Sequence, residues 1–393
     1  MLRIPKSKPT RPIFLYPINA IRLFQSDDSA IRCGYVFPNR SWTVPHACNR
    51  LNSDFRMTHH VSNPILMPKP SFAVVRSVLV GCFALAVLAV EVGIAAERVR
   101  ISVDSSIDGS SQPSYLVLPD NHGDDTTKRP LLVSLHSWSG DLEQRNRPLE
   151  ELANQRGWIV LCPNFRGRND HPEACGSELA QQDVLDAVEW IRAHHRVDER
   201  RIFLTGNSGG GHMTLLLAGR YPDVWTAASA WVGISDLASW HALHADGNYG
   251  AMLRKSCGGR PGDSDEVDRQ YRERSPLTHL AAAAALPLDI AAGIHDGHAG
   301  SVPIRHSLDA FNVVARAAGA KLITEAEIEQ LSQPGGRLER KRASDRVDDP
   351  AVGRAIHLRR HTPVARVTIF EGGHEGIATA AIDWFDRHAG KAD

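Results

Sequence analysis

The feature that most constrains this sequence is a glycine-rich turn, Gly206-Asn207-Ser208-Gly209-Gly210. The apolar run before it, at residues 202–205, is typical of a buried strand, and residues 213–217 after it are helical in character. A strand, a G-x-S-x-G turn and a helix in direct succession predict a sharp turn that exposes the serine oxygen. The positive end of the following helix points at the same place. We therefore predict that Ser208 is a nucleophile.

Strands and helices alternate from residue 97 to the C-terminus. The helix predicted over residues 178–195 has apolar residues at i, i+3, i+4 and i+7. Nearly continuous apolar strands between amphipathic helices indicate a mostly parallel central sheet with helices on both faces. The predicted strands cover residues 98–103, 115–118, 131–135, 158–162, 202–205, 227–232, 288–294 and 367–370.

Two segments interrupt this alternation. Residues 234–286 are irregular and partly helical, and we predict a lid-like insertion there. Residues 333–363 are rich in Arg and Asp, and we predict a charged insertion. Its arginines are expected at a solvated surface, although they could also contact an acidic substrate.

A serine nucleophile needs a base, and the base needs an acid that orients it. The predicted strand at 288–294 is followed by His295-Asp296-Gly297-His298, and the strand at 367–370 is followed by Glu371-Gly372-Gly373-His374. Functional residues of such sheets lie at the carboxyl ends of strands, and the order nucleophile, acid, base is kept. We predict Asp296 as the acid and His374 as the base. The alternative for the first cluster is a set of metal ligands, but no further ligand set follows, and we expect neither a metal nor a cofactor.

The negative oxygen formed during acyl transfer needs two N–H donors. The first predicted donor is Gly209, which follows the nucleophile, and the second is Trp138, in the loop after the strand at 131–135. The Trp138 indole could also line a substrate pocket. The alternative is an aromatic residue at the surface that packs on the lid.

From about residue 130 to its end, the chain resembles the catalytic domain of the prolyl oligopeptidase (S9) group and its esterase relatives. The resemblance implies an α/β-hydrolase fold with nucleophile Ser208, acid Asp296 and base His374. The stretches that carry it are His136-Ser137-Trp138, Asn164-Phe165-Arg166-Gly167, residues 182–188, the turn at Ser208, Tyr271 with Ser275-Pro276-Leu277, Gly293-Ile294-His295-Asp296 with Val302-Pro303, and Glu371-Gly372-Gly373-His374.

The sequence departs from this group at several places. Ser137 stands where the group usually has Gly, and Gly209 where it often has Tyr. Five residues separate Asp296 from Val302, where two are usual. The S9 oligopeptidases also carry an N-terminal β-propeller, which we do not expect in the short segment before the first core strand.

The first part of the chain has the features of a targeting segment. Met67, the basic residues Lys69 and Arg76, an apolar run at 77–90 and small residues near Ala95 together predict a signal peptide over 67–96. Residues 1–66 are then a non-native extension, and residues 97–393 are the catalytic domain. The predicted location is secreted or periplasmic, with no stable membrane association after cleavage. The alternative is an uncleaved N-terminal anchor.

Export would place the cysteines in an oxidising compartment. Cys175 and Cys257 lie in loop-like stretches and could form a disulfide, whereas Cys162 ends an apolar strand and is predicted to be a core thiol. The 45 basic and 45 acidic residues balance, which argues against a nucleic-acid partner.

These features predict a serine hydrolase that cleaves carboxylic esters through an acyl-enzyme, with acetyl or feruloyl groups on polysaccharide as candidate substrates. The alternative is an S9-type serine peptidase, which usually holds the substrate amino terminus with an acidic pair. Glu178 is a candidate member of such a pair, but a Glu at a helix start is the simpler interpretation. A third hypothesis is a non-catalytic binding protein of the same fold.

Overall fold

The computed structural model describes residues 98–120, 122 and 127–390. The predicted N-terminal extension at 1–66, the signal peptide at 67–96 and the alternative anchor lie outside the described residues. Within the described part of the chain, no helix has both the length and the apolar character needed to cross a bilayer.

A single nine-stranded sheet organises the described residues, in the order β1-β2-β4-β3-β5-β6-β7-β9-β8. Pairing is parallel from β4 through β3, β5, β6 and β7 to β9, and antiparallel at β1-β2, β2-β4 and β9-β8. The strands are β1 Arg98–Asp104, β2 Ser111–Val117, β3 Arg129–Leu135, β4 Ile159–Pro163, β5 Val197–Asn207, β6 Ala227–Trp231, β7 Leu288–Gly293, β8 Ile356–His361 and β9 Arg366–Phe370.

Helices cover this sheet on both faces. Every residue of β4, β6, β7 and β9 is buried. Because successive side chains of a strand point to opposite faces, both faces must be covered, as predicted. The α-helices are α1 Arg147–Asn154, α2 Glu178–His194, α3 Gly209–Arg220, α4 Leu237–His244, α5 Asn248–Cys257, α6 Asp265–Glu273, α7 Arg305–Ala317, α8 Glu325–Leu331 and α9 Ala378–His388.

The segment predicted as a charged insertion contributes a strand to the sheet. Within it, β8 pairs antiparallel with β9 at the sheet edge. Arg359 and Arg360 of this strand are 5% and 4% exposed, so the expectation of a solvated surface is wrong for them. Arg359 pairs with Asp349 at 2.7 Å, and Arg360 pairs with Glu327 at 2.8 Å. Sequence analysis did not predict this strand because its arginines are charged, and the residues that pair with them lie ten or more positions away in the chain.

The segment predicted as a lid-like insertion, residues 234–286 and here called the lid, contains α4, α5 and α6 and two short 3-10 helices. It has its own apolar cluster, which also takes in Trp138 from the loop after β3 and Val302 from the loop after β7. The lid therefore packs on two loops in which sequence analysis places functional residues.

Candidate active site

Ser208 occupies the sharp turn between β5 and α3. Its backbone has φ 58° and ψ −115°, a conformation that non-glycine residues rarely adopt. Its N–H donates to the Trp231 carbonyl at 2.9 Å, and its carbonyl accepts from the His212 N–H at 2.8 Å. These bonds anchor the strained turn, while the hydroxyl makes no capping bond to the helix. The side chain is thus left available for chemistry.

The loop after β3 passes directly over the turn. A Cβ added to Gly209 would lie 2.2 Å from the backbone nitrogen of Trp138, so no side chain fits there. This contact explains why the sequence has Gly at a position where the resemblance leads one to expect Tyr. It also brings the two predicted N–H donors, Gly209 and Trp138, side by side, as an anion-binding pair requires.

The other departure in this loop is also accounted for. Ser137 donates from its N–H and its hydroxyl to the Gln144 Oε1, at 3.0 and 2.7 Å. The Trp138 carbonyl accepts from the Asn169 N–H at 3.1 Å. These bonds hold the loop in place without the glycine that is usual there.

The indole of Trp138 does not lie at the surface. Trp138 and Trp240 are each 1% exposed and pack edge to face, with ring centroids 4.7 Å apart. The alternative of a surface aromatic is therefore wrong, although the predicted packing on the lid is present. Both rings are covered by protein, so neither offers a face on which a sugar could stack.

The predicted acid and base meet at the ends of β7 and β9. His374 Nδ1 lies 2.7 Å from Asp296 Oδ2, and the Asp296 side chain is fully buried. The imidazole donates from Nδ1 to the carboxylate, which leaves Nε2 for a substrate or a nucleophile. His374 and Ser208 line the same pocket. Their side chains, both described, are not hydrogen-bonded in this conformation, and such bonds often tighten only when substrate binds.

The loop between Asp296 and Val302, which we call the acid loop, wraps around this pair. The second carboxylate oxygen, Oδ1, accepts from the N–H groups of Gly297 and Val302 at 3.0 and 3.1 Å. A Cβ on Gly300 would lie 2.2 Å from Asp296 Oδ1 and 2.8 Å from the His374 Cβ. The long spacing that departs from the S9 pattern thus provides a loop that encloses the carboxylate.

The lid holds the acid loop from outside. The Ser301 carbonyl accepts hydrogen bonds from Trp240 Nε1 and His244 Nε2, both at 2.8 Å. Both donors belong to α4. The lid therefore contacts the loop that encloses Asp296.

Replacing Trp240 with Phe should keep an aromatic ring and remove one of these donors. We expect kcat/KM for a small ester to fall about fivefold, since a net hydrogen bond contributes about 1 kcal/mol. Steady-state kinetics of the purified variant provides the measurement. Leu243→Ala, at a 55% exposed site on the same helix, is the matched control and should retain the wild-type rate. Equal rates for wild type and Trp240→Phe would show that the lid does not orient the acid loop.

The two histidines beside Asp296 do not gather around a metal position. His295 Nε2 bonds to Glu371 Oε1 at 2.5 Å, and His357 Nε2 bonds to the other oxygen, Oε2, at 2.9 Å. Both bonds lower the pKa of Glu371, and the bond from His295 has the larger effect. His298 is exposed. The cluster ties the end of β7 to the start of the loop after β9.

The pocket that contains Ser208 and His374, here called the catalytic pocket, has a volume of about 270 Å³. Among the lining residues that were not predicted as functional, two could contact a substrate. Tyr249, on α5, packs on Trp240 with centroids 4.9 Å apart, and no local pattern singles it out. Glu375 directly follows the predicted base and could have been noticed for that reason. The full lining is Ser137, Trp138, Ser139, Asn207, Ser208, Val232, Tyr249, His374 and Glu375.

Glu375 forms an ion pair with a neighbouring residue. Arg354 contacts its two carboxylate oxygens at 2.6 and 2.9 Å. This bidentate bond lowers the pKa of Glu375. The pocket thus contains a carboxylate, but its charge is already paired.

The remaining predicted residues lie away from the catalytic pocket. Cys175 and Cys257 are buried free thiols whose side chains are in contact within the lid cluster. They are not joined in this structure, so the disulfide stays a prediction. Cys162 is buried, as predicted, and burial raises its pKa to about 11. Glu178 is the first residue of α2, as the simpler interpretation expected.

Comparison with known proteins agrees with this geometry. The model of the prolyl oligopeptidase family, peptidase family S9, matches residues 149–324. The chain is 31% identical over 208 residues to dipeptidyl aminopeptidase BIII of Pseudoxanthomonas mexicana, covering 49% of this chain and 30% of that protein. It is 25% identical over 156 residues to the protein named "Probable acetylxylan esterase A" of Neosartorya fischeri, covering 34% and 40%. The matches thus span well under half of either relative's length.

A solved structure shows the same fold. The puromycin-hydrolyzing peptidase of Mycobacterium tuberculosis superposes with a TM-score of 0.52 at 19% identity, covering 76% of this chain and 40% of that one. The sheet order, the strained serine turn and these similarities agree. The chain has an α/β-hydrolase fold and is similar to the prolyl oligopeptidase family, peptidase family S9, over residues 149–324.

Proposed function

We propose that this protein hydrolyses carboxylic esters through an acyl-enzyme, with Ser208 as nucleophile, His374 as base and Asp296 as orienting acid. Ser208 attacks the ester carbonyl and passes its proton to His374 Nε2, which then protonates the leaving alcohol. The N–H groups of Gly209 and Trp138 stabilise the oxyanion. Water repeats the sequence to release the acid. The 2.7 Å bond between His374 and Asp296 supports this assignment.

The pairing of Glu375 is the observation that favours esters over peptides. An aminopeptidase needs an ionised carboxylate free to bind the substrate ammonium group. Glu375 is the one carboxylate in the lining of the catalytic pocket, and Arg354 occupies both of its oxygens. An alcohol is also a better leaving group than an amine, so an ester needs less exact positioning. Acetyl or feruloyl groups on polysaccharide are the substrates we propose.

A serine peptidase is the second candidate. Its support is the 31% identity to a dipeptidyl aminopeptidase and the position of Glu375 beside His374. If Arg354 moved away, Glu375 could receive an amino terminus. A binding protein without catalysis is a third and weaker candidate, because the strained turn and the bond between His374 and the buried Asp296 are both intact.

The ratio of kcat/KM for alanine p-nitrophenyl ester to that for alanine p-nitroanilide tests the choice. We expect the ester to be hydrolysed far faster than the anilide, because the carboxylate in the lining of the catalytic pocket, Glu375, is already paired with Arg354. The p-nitrophenol background is subtracted with the Ser208→Ala protein. A ratio that favours the anilide would place the protein among the peptidases.

Two variants sharpen this comparison. Glu375→Gln removes the carboxylate, and Arg354→Met frees it. For an aminopeptidase that uses Glu375, the first variant should lose anilide activity and the second should gain it. For an esterase, the two variants should change ester and anilide rates in parallel.

We also propose that the mature protein is exported to the periplasm or the medium and has no nucleic-acid or stable membrane partner. The support is the signal-like pattern at 67–96 and the balanced charge. Expression from Met67 in a bacterial host, followed by N-terminal sequencing of the exported product, should find a start near residue 97. A product that remains with the membrane would support the anchor instead.

A further inference from the structure

A row of polar side chains crosses the sheet at one level. Its members are register partners on β3, β5, β6, β7 and β9, namely Ser134, Thr205, Ser229, Asp289 and Arg366. Arg366 pairs with Asp289 at 2.6 Å, the Ser229 hydroxyl donates to Asp289 at 2.9 Å, and the Thr205 hydroxyl donates to the Ser229 carbonyl at 2.7 Å. Buried polar groups normally have such partners.

Ser134, at the end of the row, differs from the others. No group in the described part of the chain hydrogen-bonds to its hydroxyl, and the residue is partly exposed. Its neighbours Val133 and Leu135 are 0% and 4% exposed. The reason is a cavity of about 280 Å³ that both Ser134 and Thr205 line. A polar residue in an otherwise apolar central strand thus faces an open space.

This cavity adjoins the catalytic pocket. Asn207, which precedes the nucleophile, lines both spaces. Gln144 lines the cavity and accepts two hydrogen bonds from Ser137, which lines the catalytic pocket. In the sheet, β4 pairs with one side of β3 and β5 pairs with its other side, so the strand order reverses direction at β3. Ligands of open α/β sheets bind at the carboxyl ends of strands at such a switch point.

The lining of the cavity selects for a neutral, partly polar ligand. Arg145 is paired with Glu150 at 3.0 Å. Because this pair already balances the positive charge of Arg145, the cavity offers no unpaired arginine to an anionic ligand. Asp141 is exposed. Hydrogen-bonding groups come from Ser134, Asn207 and neighbouring side chains, and an apolar wall comes from Leu142, Leu149, Trp231, Ile377 and Ala381. The volume is just below the roughly 300 Å³ of typical ligand pockets, which suits one ring.

We propose that this cavity is a second subsite of the active site and that it binds a neutral, hydroxyl-bearing ring of the ester substrate. This proposal rests on the esterase function proposed above. The ring belongs either to the acyl group, as in a hydroxylated aromatic acid, or to the alcohol, as in a sugar. The two share the same chemistry, and substrates can separate them.

Filling the cavity tests the proposal. Ala381, on α9, is 3% exposed, and Ala381→Leu adds three carbons toward the cavity. The measurement is kcat/KM for methyl ferulate and for a monoacetylated methyl xyloside, which keeps free ring hydroxyls, each divided by that for p-nitrophenyl acetate. We expect one ratio to fall about tenfold or more, as a filled pocket requires. A fall for ferulate assigns the ring to the acyl side, and a fall for the xyloside assigns it to the alcohol side.

Two further variants distinguish an effect on the cavity from a general loss of folding. Ala317→Leu adds the same atoms at an exposed site on α7 and should leave both ratios unchanged. Ser134→Ala should lower the same ratio as Ala381→Leu, by about two- to tenfold. It should not lower the melting temperature, because the hydroxyl has no protein partner. Unchanged ratios in both cavity variants would overturn the proposal.

A binding measurement separates this proposal from the esterase proposal. Titration calorimetry of Ser208→Ala with methyl ferulate and with methyl xyloside needs no turnover. We expect one ligand to bind, and the double variant with Ala381→Leu to bind it at least about tenfold more weakly. If the wild type cleaves no ester but this binding is seen, the esterase function fails and the subsite stands. Binding of neither ring, or equal binding by both proteins, would exclude the subsite.

Discussion

Replacing Ser208 with Ala is expected to lower kcat/KM for p-nitrophenyl acetate by at least about four orders of magnitude. The hydroxyl is the group that would form the acyl-enzyme, so its removal leaves only oxyanion stabilisation and substrate positioning. The melting temperature should change little, because the hydroxyl makes no capping bond and the turn is held by backbone bonds. Steady-state kinetics and labelling with a fluorophosphonate probe provide the measurements.

The matched control is Ser102→Ala, which removes an exposed hydroxyl on β1. It should keep both the wild-type rate and the probe labelling. Replacement of His374 should cost nearly as much as replacement of Ser208, because the two act as a unit. Asp296→Asn should cost somewhat less, because this carboxylate orients the imidazole. A Ser208→Ala protein that turns over at the wild-type rate would refute the proposed mechanism.

The second large effect is expected at Gly209. A methyl group there would lie 2.2 Å from the backbone nitrogen of Trp138, so Gly209→Ala must push the loop after β3 away from the turn. We expect kcat to fall about 10²- to 10³-fold, the effect of losing one oxyanion donor. KM should change less, because the donors act mainly in the transition state. The measurement is kcat and KM with p-nitrophenyl acetate, together with the melting temperature.

Gly247→Ala is the matched control for this change. A Cβ at Gly247 would meet its nearest neighbour, the His244 carbonyl oxygen, at an ordinary 3.5 Å. This variant should keep its rate. Retained kcat in Gly209→Ala would mean that Trp138 does not supply the second donor.

Local patterns in the sequence were enough to predict the framework of the site. Buried strands of a parallel sheet are apolar runs, and residues directly after them must lie at one edge of the sheet. The β7 and β9 ends follow this rule, and Asp296 and His374 meet there at 2.7 Å. The strand, turn and helix around Ser208 are likewise contiguous in sequence. For this reason the fold and the meeting of acid and base could be predicted.

Contacts between distant segments could not be predicted in this way. Arg359 and Arg360 look like surface residues until Asp349 and Glu327 are placed beside them. Trp138 could be a surface aromatic as judged from its loop, but its ring is buried against Trp240 of the lid. Pairing and burial at these positions depend on residues that lie ten or more positions apart in the chain, so no local pattern predicts them.

The sequence by itself determined the parallel core of the sheet, the sharp serine turn and the order of the predicted nucleophile, acid and base, because each follows from a run of neighbouring residues and its periodicity. Only the tertiary structure decided which side chains are free to meet a substrate. Arg354 pairs with Glu375, the acid loop encloses Asp296, and Ser134 faces a cavity beside Asn207. Substrate choice depends on these placements, because binding is decided by which charges are unpaired and which space is empty once the chain has packed.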